Sequence, residues 1–217
     1  MRIIAFGDVH MELGDLQKIP AIDSADLVLI TGDFSNYGGR PEVKSILDQV
    51  LSVNKNLLAL HGNMDKKEAG DYLDELDISL HGQGRIINGI GIFGVGGSNV
   101  TPFNTPSEYS EEELAAFIVA GYEQVKEAKH LVLVSHTPPF NTKTDLIGAG
   151  VHVGSTAVRS FIEDKQPAFC LTGHIHEARA DDKIGRTLIV NPGMIKDGWW
   201  IEVNIDEQGE PAAILRS

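Results

Sequence analysis

Asp8 and His10, Asp33, Asn63, His136, and His174 with His176 are the side chains best suited to chemistry, and each closes an apolar run. The runs are 2–6, 27–30, 57–60, 131–134 and 168–171, of which Leu27-Val28-Leu29-Ile30 is four consecutive large aliphatic residues. Singly, a Gly-Asp pair after a strand is an ordinary turn, and a His-x-His pair makes sense mainly when both rings are neutral ligands. Five such endings would need five independent coincidences of residue type, so they are read together. The set holds two carboxylates, one amide and four imidazoles. Nitrogen and oxygen donors without thiolate suit Mn, Fe, Zn, Co or Ni, with Mn favoured, over Mg or Ca, which prefer all-oxygen shells. Seven donors overfill one ion. Two divalent ions sharing the central carboxylate, Asp33, would each have about four protein ligands and room for water. Such a site stays positive even with a bridging hydroxide. Phosphoryl oxygens fit a gap of roughly 3.5 to 4 Å between metals, and coordination brings the pKa of water towards ~7.

The donors need a scaffold that delivers them to one place. Aliphatic runs that end abruptly in Gly-Asp or Ser-His read as strands buried on both faces. Between them lie helical patterns near 14–22, from Pro41 through Val43, Ile46, Leu47, Val50 and Leu51, and near 66–76. This alternation implies right-handed crossovers and parallel strands, with ligands beyond the strands' carboxyl ends. Asp8 and His10, at i and i+2, project to one side if the backbone there is extended. Asn88-Gly89 between two apolar segments is a hairpin signal. Ser110-Glu111-Glu112-Glu113 is a capping box opening a helix to about residue 128, and Ser155 or Thr156 opens another. The runs at 187–190, 199–205 and 212–215 have the spacing of antiparallel strands, and a second sheet packed on the first would account for both halves.

Composition agrees with a single domain over 1–217 that buries a sizeable core, 42% of residues being hydrophobic. A net charge of -13 opposes nucleic-acid binding, which relies on cations that displace condensed counterions. The chain opens at once with a strand, and no run approaches the ~20 apolar residues of a membrane span. A cytoplasmic protein with no membrane partner is expected. Cys170, the one cysteine, reads as a small core residue.

Asp8-Val9-His10, Gly32-Asp33, Gly62-Asn63 with Asp65, Ser135-His136 and Gly173-His174-Ile175-His176 together resemble the calcineurin-like metallophosphoesterases, in the family's order. Asn191-Pro192-Gly193 resembles the family's closing turn. The resemblance implies an α/β (α+β) four-layer αββα sandwich, two mixed sheets flanked by helices, and a dinuclear phosphoesterase acting on a small phosphate ester by attack of metal-bound hydroxide. It places Asp8, His10, Asp33 and His176 on one metal, and Asp33, Asn63, His136 and His174 on the other. Catalytic roles fall to Asp33 and Asn63. Many members carry a histidine after the asparagine, thought to protonate the leaving group; this chain has Met64, and a thioether donates no proton. Its absence argues for a substrate with a good leaving group, another donor or slow turnover, and the resemblance to members lacking that histidine implies a phosphodiester; His152, on the loop after the His136 strand, is the candidate to supply the donor or bind phosphate. The alternatives are a phosphomonoesterase, a nucleotide pyrophosphohydrolase, or a metal-binding scaffold without catalysis. Asp65 is read as orienting a ligand or capping a turn. His61, His81 and His130 are read as structural, and of Trp199 and Trp200 one should face the core.

Overall fold

The computed structural model describes residues 1–205 and 211–217. In chain order the main elements are β1 (Arg2–Phe6), β2 (Leu27–Ile30), α1 (Arg40–Val53), β3 (Leu57–Ala59), α2 (Lys67–Glu75), β4 (Gly84–Ile87), β5 (Ile90–Val95), α3 (Glu111–Glu123), β6 (His130–Ser135), α4 (Thr156–Lys165), β7 (Phe169–Leu171), β8 (Ala180–Ile184), β9 (Thr187–Asn191), β10 (Trp200–Asn204) and β11 (Ala212–Arg216). One sheet has the order β11-β10-β1-β2-β3 and the other β8-β9-β7-β6-β5-β4. In the first, β1, β2 and β3 are parallel, and β10 and β11 add antiparallel. In the second, β5, β6, β7 and β9 are parallel, with β4 and β8 antiparallel at the edges.

Strand alternation builds four layers, because successive side chains point to opposite faces. From β1 and β2, Ile3, Ala5, Leu27 and Leu29 meet Ile92, Val132, Val134 and Leu171 of the other sheet, so the middle of the sandwich is aliphatic. The opposite-facing Ile4, Phe6, Val28 and Ile30 pack on α1 and α2 through Val43, Ile46, Leu47, Val50 and Leu73. Across the molecule, Phe93, Leu133, Cys170 and Ile189 pack on α3 and α4 through Leu114, Ile118, Val158 and Ile162. Cys170 is thus the small core residue expected. This is the αββα sandwich. Strand ends of both sheets open onto one edge, where the candidate donors collect.

Local chemistry accounts for the boundaries. Asn88 and Gly89 adopt φ of 49° and 76° between the paired Ile87 and Ile90, the left-handed pair that a two-residue hairpin loop requires. Ser110 accepts from Glu113 N at 3.2 Å and the Glu113 carboxylate accepts from Ser110 N at 2.8 Å, closing the capping box on α3. Ser155 accepts from Val158 N to start α4.

Several expectations are corrected. The helix near 14–22 is only a 3-10 turn over Leu16–Lys18, because Gly14 and Ala21 take positive φ; Leu13, Leu16, Ile19 and Ile22, spaced by three, still bury. Helix α3 stops at Glu123 rather than near 128: Gln124 N bonds to the Gly121 carbonyl, and its side-chain amide takes the Ala120 carbonyl that would continue the helix. The antiparallel strands at the end of the chain do not form one sheet: β9 joins the second sheet parallel to β7, while β10 and β11 return to the first. Strand β8 was not anticipated, its Asp181, Asp182 and Lys183 lacking an apolar alternation. Trp200 is buried, while Trp199 is partly exposed under the Arg179 guanidinium, 4.8 Å from its ring. No helix among the described residues is long and apolar enough to cross a membrane.

Candidate metal centre

Beyond the ends of β1, β2, β6 and β7, donor atoms converge into two groups. In the first, one donor atom from each of Asp8, His10, Asp33 and His176 lies within 4.8 Å of the others; in the second, the same holds for Asp33, His136 and His174. Asp33 is common to both. Asn63, after β3, joins the second group with its Oδ1 3.0 Å from His136 Nε2.

The backbone there is not extended as expected. Asp8, His10, Asp33 and His174 take positive φ values of 50°, 46°, 53° and 69°. Non-glycine residues enter this region seldom, although Asp, Asn and His tolerate it best. Sharp turns, not strand alternation, therefore swing the side chains inward. Two glycines make room for them. Gly32 has a φ of 120° and abuts the His136 ring, and Gly62 abuts Asp33, so a methyl at either would strike a candidate donor.

Ring partners show that the imidazoles fit a divalent ion. His136 Nδ1 lies 2.9 Å from the Thr31 carbonyl oxygen, which can only accept, so Nδ1 carries a hydrogen and Nε2 is the ring atom turned to the cluster, where a divalent ion would take the place of its proton. His10 repeats the arrangement, with Nδ1 2.8 Å from Asn36 Oδ1 and Nε2 3.6 Å from Asp33 Oδ2. His10 Nε2 and His176 Nε2 lie 3.1 Å apart, two ring nitrogens turned into the same small volume. Asn63 is oriented too. Its Nδ2 donates to Thr105 Oγ1 at 3.0 Å, and that hydroxyl donates to Glu108 Oε1 at 2.6 Å, which turns Oδ1 towards His136. Asp8 accepts from His174 N at 3.0 Å, tying the turn after β7 to the turn after β1.

The charges are coupled. Burial would raise Asp33, but His136, His10 and His174 hold its carboxyl far below the usual range. Burial likewise opposes the charged form of His136, yet Asp33 and Asp8 push it up to about 9. His174 is lowered to about 4 by burial and by the His136 charge. His176 rises against its burial, through its hydrogen bond to Asp8 and that residue's charge.

Among the other residues singled out in the sequence, Asp65 is a turn organiser. Buried, it accepts from Phe34 N, Ser35 N and Gly62 N at 2.9–3.0 Å, binding the turn after β2 to the turn after β3. Burial and the Asp33 charge raise it to about 7 against those donors. Met64 lines the cleft that holds the cluster and donates its N–H to Asp33 Oδ1 at 2.9 Å. His152 lies outside both donor groups but lines the same cleft. Its Nδ1 is 2.7 Å from Oδ1 of buried Asp145, which leaves Nε2 as the free ring nitrogen. The His61 and His81 rings lie tilted against each other with centroids 4.7 Å apart, and His61 Nε2 meets the Tyr109 hydroxyl at 3.1 Å. Asn191 donates to the Ile175 carbonyl at 2.9 Å, pinning the His174–His176 turn.

Asn36, Thr105, Glu108 and Asp145 escaped the sequence reading. The spacings Thr105-x-x-Glu108 and Thr142-x-x-Asp145 have the form of capping boxes, and those boxes were the available signal. The cleft itself encloses about 1040 Å³.

A family model of calcineurin-like phosphoesterases matches residues 1–178. An uncharacterized protein of Methanocaldococcus jannaschii is 40% identical over 200 residues, which cover 88% of each chain. Among solved structures, the TT1561 protein of Thermus thermophilus matches with a TM-score of 0.68 at 15% identity, over 93% of both chains. The phosphopantetheinyl hydrolase of Mycobacterium tuberculosis matches with a TM-score of 0.66 at 17% identity, over 97% of this chain and 98% of that one. At those identities the two structures share the fold. The family match spans both donor groups and the fold built around them, and the chain belongs to the calcineurin-like phosphoesterases.

Proposed function

We propose that this chain, as one metallophosphoesterase domain over 1–217, hydrolyses a phosphodiester with Asp8, His10, Asp33 and His176 holding one divalent ion and Asp33, Asn63, His136 and His174 a second. The observation that carries this reading is the pair of donor groups sharing Asp33 at the floor of an open cleft. Bound divalent ions supply Lewis acidity and a nucleophile active at neutral pH. The chain's residues do the rest. Thr31 and Asn36 fix the tautomers of His136 and His10, and Thr105 fixes the Asn63 amide. Preference for a diester over a monoester rests on two features of the lining. Met64 cannot donate a proton, and Lys196 is the one lysine, with no arginine, on the cleft wall among the described residues, so a terminal dianion finds few cations. His152, held by Asp145, takes the role of proton donor to the leaving oxygen.

The test is elemental analysis of the purified protein, followed by hydrolysis of aryl phosphodiesters and aryl phosphomonoesters with added Mn. Bound metal near two equivalents and faster diester turnover are expected. A protein that binds no divalent ion and turns over neither ester is not a hydrolase, and faster monoester turnover would reverse the substrate assignment.

A further inference from the structure

The cleft has a second character that phosphate chemistry does not use. Tyr37, Val100, Phe103 and Phe140 are four of the large apolar side chains left exposed on this molecule, and all four line it, Phe103 at 78% and Val100 at 71% exposure. Ile147 and Met194 continue the same wall. Most of these residues come from the loops after β5 and β6, and those loops are braced against each other. Asn99 Nδ2 donates to the Val153 carbonyl at 3.1 Å, and Asn99 Oδ1 accepts from Thr137 Oγ1 at 2.7 Å. Glu108 accepts from Thr101 and Thr105 on either side of Phe103, so the tip that carries Val100 and Phe103 is pinned where it stands. Burial opposes ionisation of Glu108, but these donors outweigh it and hold its carboxyl below the ordinary range.

Exposed aromatics on a pinned loop, continuous with a polar cluster in a cleft of about 1040 Å³, make a site with one ionic and one apolar end. Cations on the wall are too few for a polyphosphate chain, and Glu12 and Glu177 add opposing charge at its edge. We infer that the substrate is a lipid-like phosphodiester, whose single phosphate meets the Asp33 cluster while a hydrocarbon arm lies along Val100, Phe103, Phe140 and Ile147. This deepens the phosphodiesterase reading and rests on it.

The experiment uses p-nitrophenyl n-alkyl phosphodiesters from methyl to octyl, which share one leaving group, and calorimetric binding of n-alkyl methylphosphonates of the same lengths. Expected is a rise in kcat/KM of roughly twofold to fourfold per methylene, the range that burial of a CH₂ supports. Phosphonate affinity should climb in parallel, with a negative heat-capacity change. Phe103→Ser should flatten both slopes, whereas Ile86→Ser, an exposed apolar residue outside the cleft, should leave them unchanged. Turnover and binding indifferent to chain length, or a thymidine diester preferred to the octyl ester, would overturn the inference. Chain-length-dependent phosphonate binding without turnover of any ester would support the apolar arm and defeat the hydrolase reading instead.

Discussion

Thr105 offers the sharpest probe of how the second donor group is held. Its hydroxyl accepts from Asn63 Nδ2 at 3.0 Å and donates to Glu108 at 2.6 Å, using the bonding capacity of one hydroxyl without conflict. Thr105→Val keeps the shape and removes both bonds. The Asn63 amide then has no acceptor to tell its nitrogen from its oxygen, and a flipped amide presents a donor where a ligand oxygen is needed. Leaving one buried donor unpaired costs about 1–3 kcal/mol. If that falls on the metal-competent orientation, it becomes roughly a 10- to 100-fold loss of metal affinity, the range found for residues that orient ligands. The assay is Mn titration by calorimetry, with the Mn concentration for half-maximal diesterase activity measured in parallel. Half-activation should move up by that factor, while the rate at saturating Mn changes much less. Thr105→Ser, which keeps the hydroxyl, should restore wild-type behaviour. Wild-type Mn affinity in a folded Thr105→Val protein would refute the reasoning, because Asn63 would then be oriented by something else.

Asp33→Asn should reduce metal stoichiometry more than any other single donor change, since both groups depend on it; a greater loss in His174→Ala would remove Asp33 from its central place. His152→Gln should slow diesters with alkoxide leaving groups by about 100-fold and spare p-nitrophenolate leaving groups, and equal losses for both would end its assignment as proton donor. Met64→His should raise monoesterase activity more than diesterase activity, while an unchanged ratio would place position 64 away from the leaving group. Acid should weaken the fold through the paired rings behind the site. Burial lowers His81 to about 4 and, helped by the His81 charge, lowers His61 to about 3. Below the ordinary value of 6.5 the unfolded chain takes up protons that the fold refuses, so stability falls as pH drops from 6.5 towards 4. His81 alone contributes on the order of 1–2 kcal/mol of that fall by about pH 5. In His81→Phe, thermal melts should show a lower midpoint at about pH 8, because Gly96 N loses its acceptor, but a shallower pH slope; an equal slope would contradict the assignment.

Residues whose role follows from local pattern could be read without coordinates. The aliphatic runs at β1, β2, β3, β6 and β7 announce buried parallel strands, and Asp33, Asn63, His136 and His174 announce themselves by standing where those runs stop. What escaped depends on contacts between residues far apart in the chain. Thr105 reaches back 42 positions to Asn63, and Asn36 reaches back 26 to His10. Asn36 does not differ locally from a loop residue facing water, and the Thr105-x-x-Glu108 spacing marks a local box without pointing to Asn63. Strand β8 was missed because an edge strand is free to carry Asp181, Asp182 and Lys183, which erases the alternation that marks its neighbours. The sharp turns at Asp8 and His10 were missed because residue spacing says which side chains are available and nothing about the sign of φ.

Those turns set a limit on how the site can change. Four of the candidate donors sit in a backbone region that costs of order 1 kcal/mol or more per non-glycine residue, against a total stability of only about 5–15 kcal/mol for a typical domain. Glycine at any of the four would relieve the backbone and delete a donor at once. Drift towards stability therefore runs directly against the cluster, and a descendant freed from catalysis would be expected to lose these side chains first while keeping the sandwich around them.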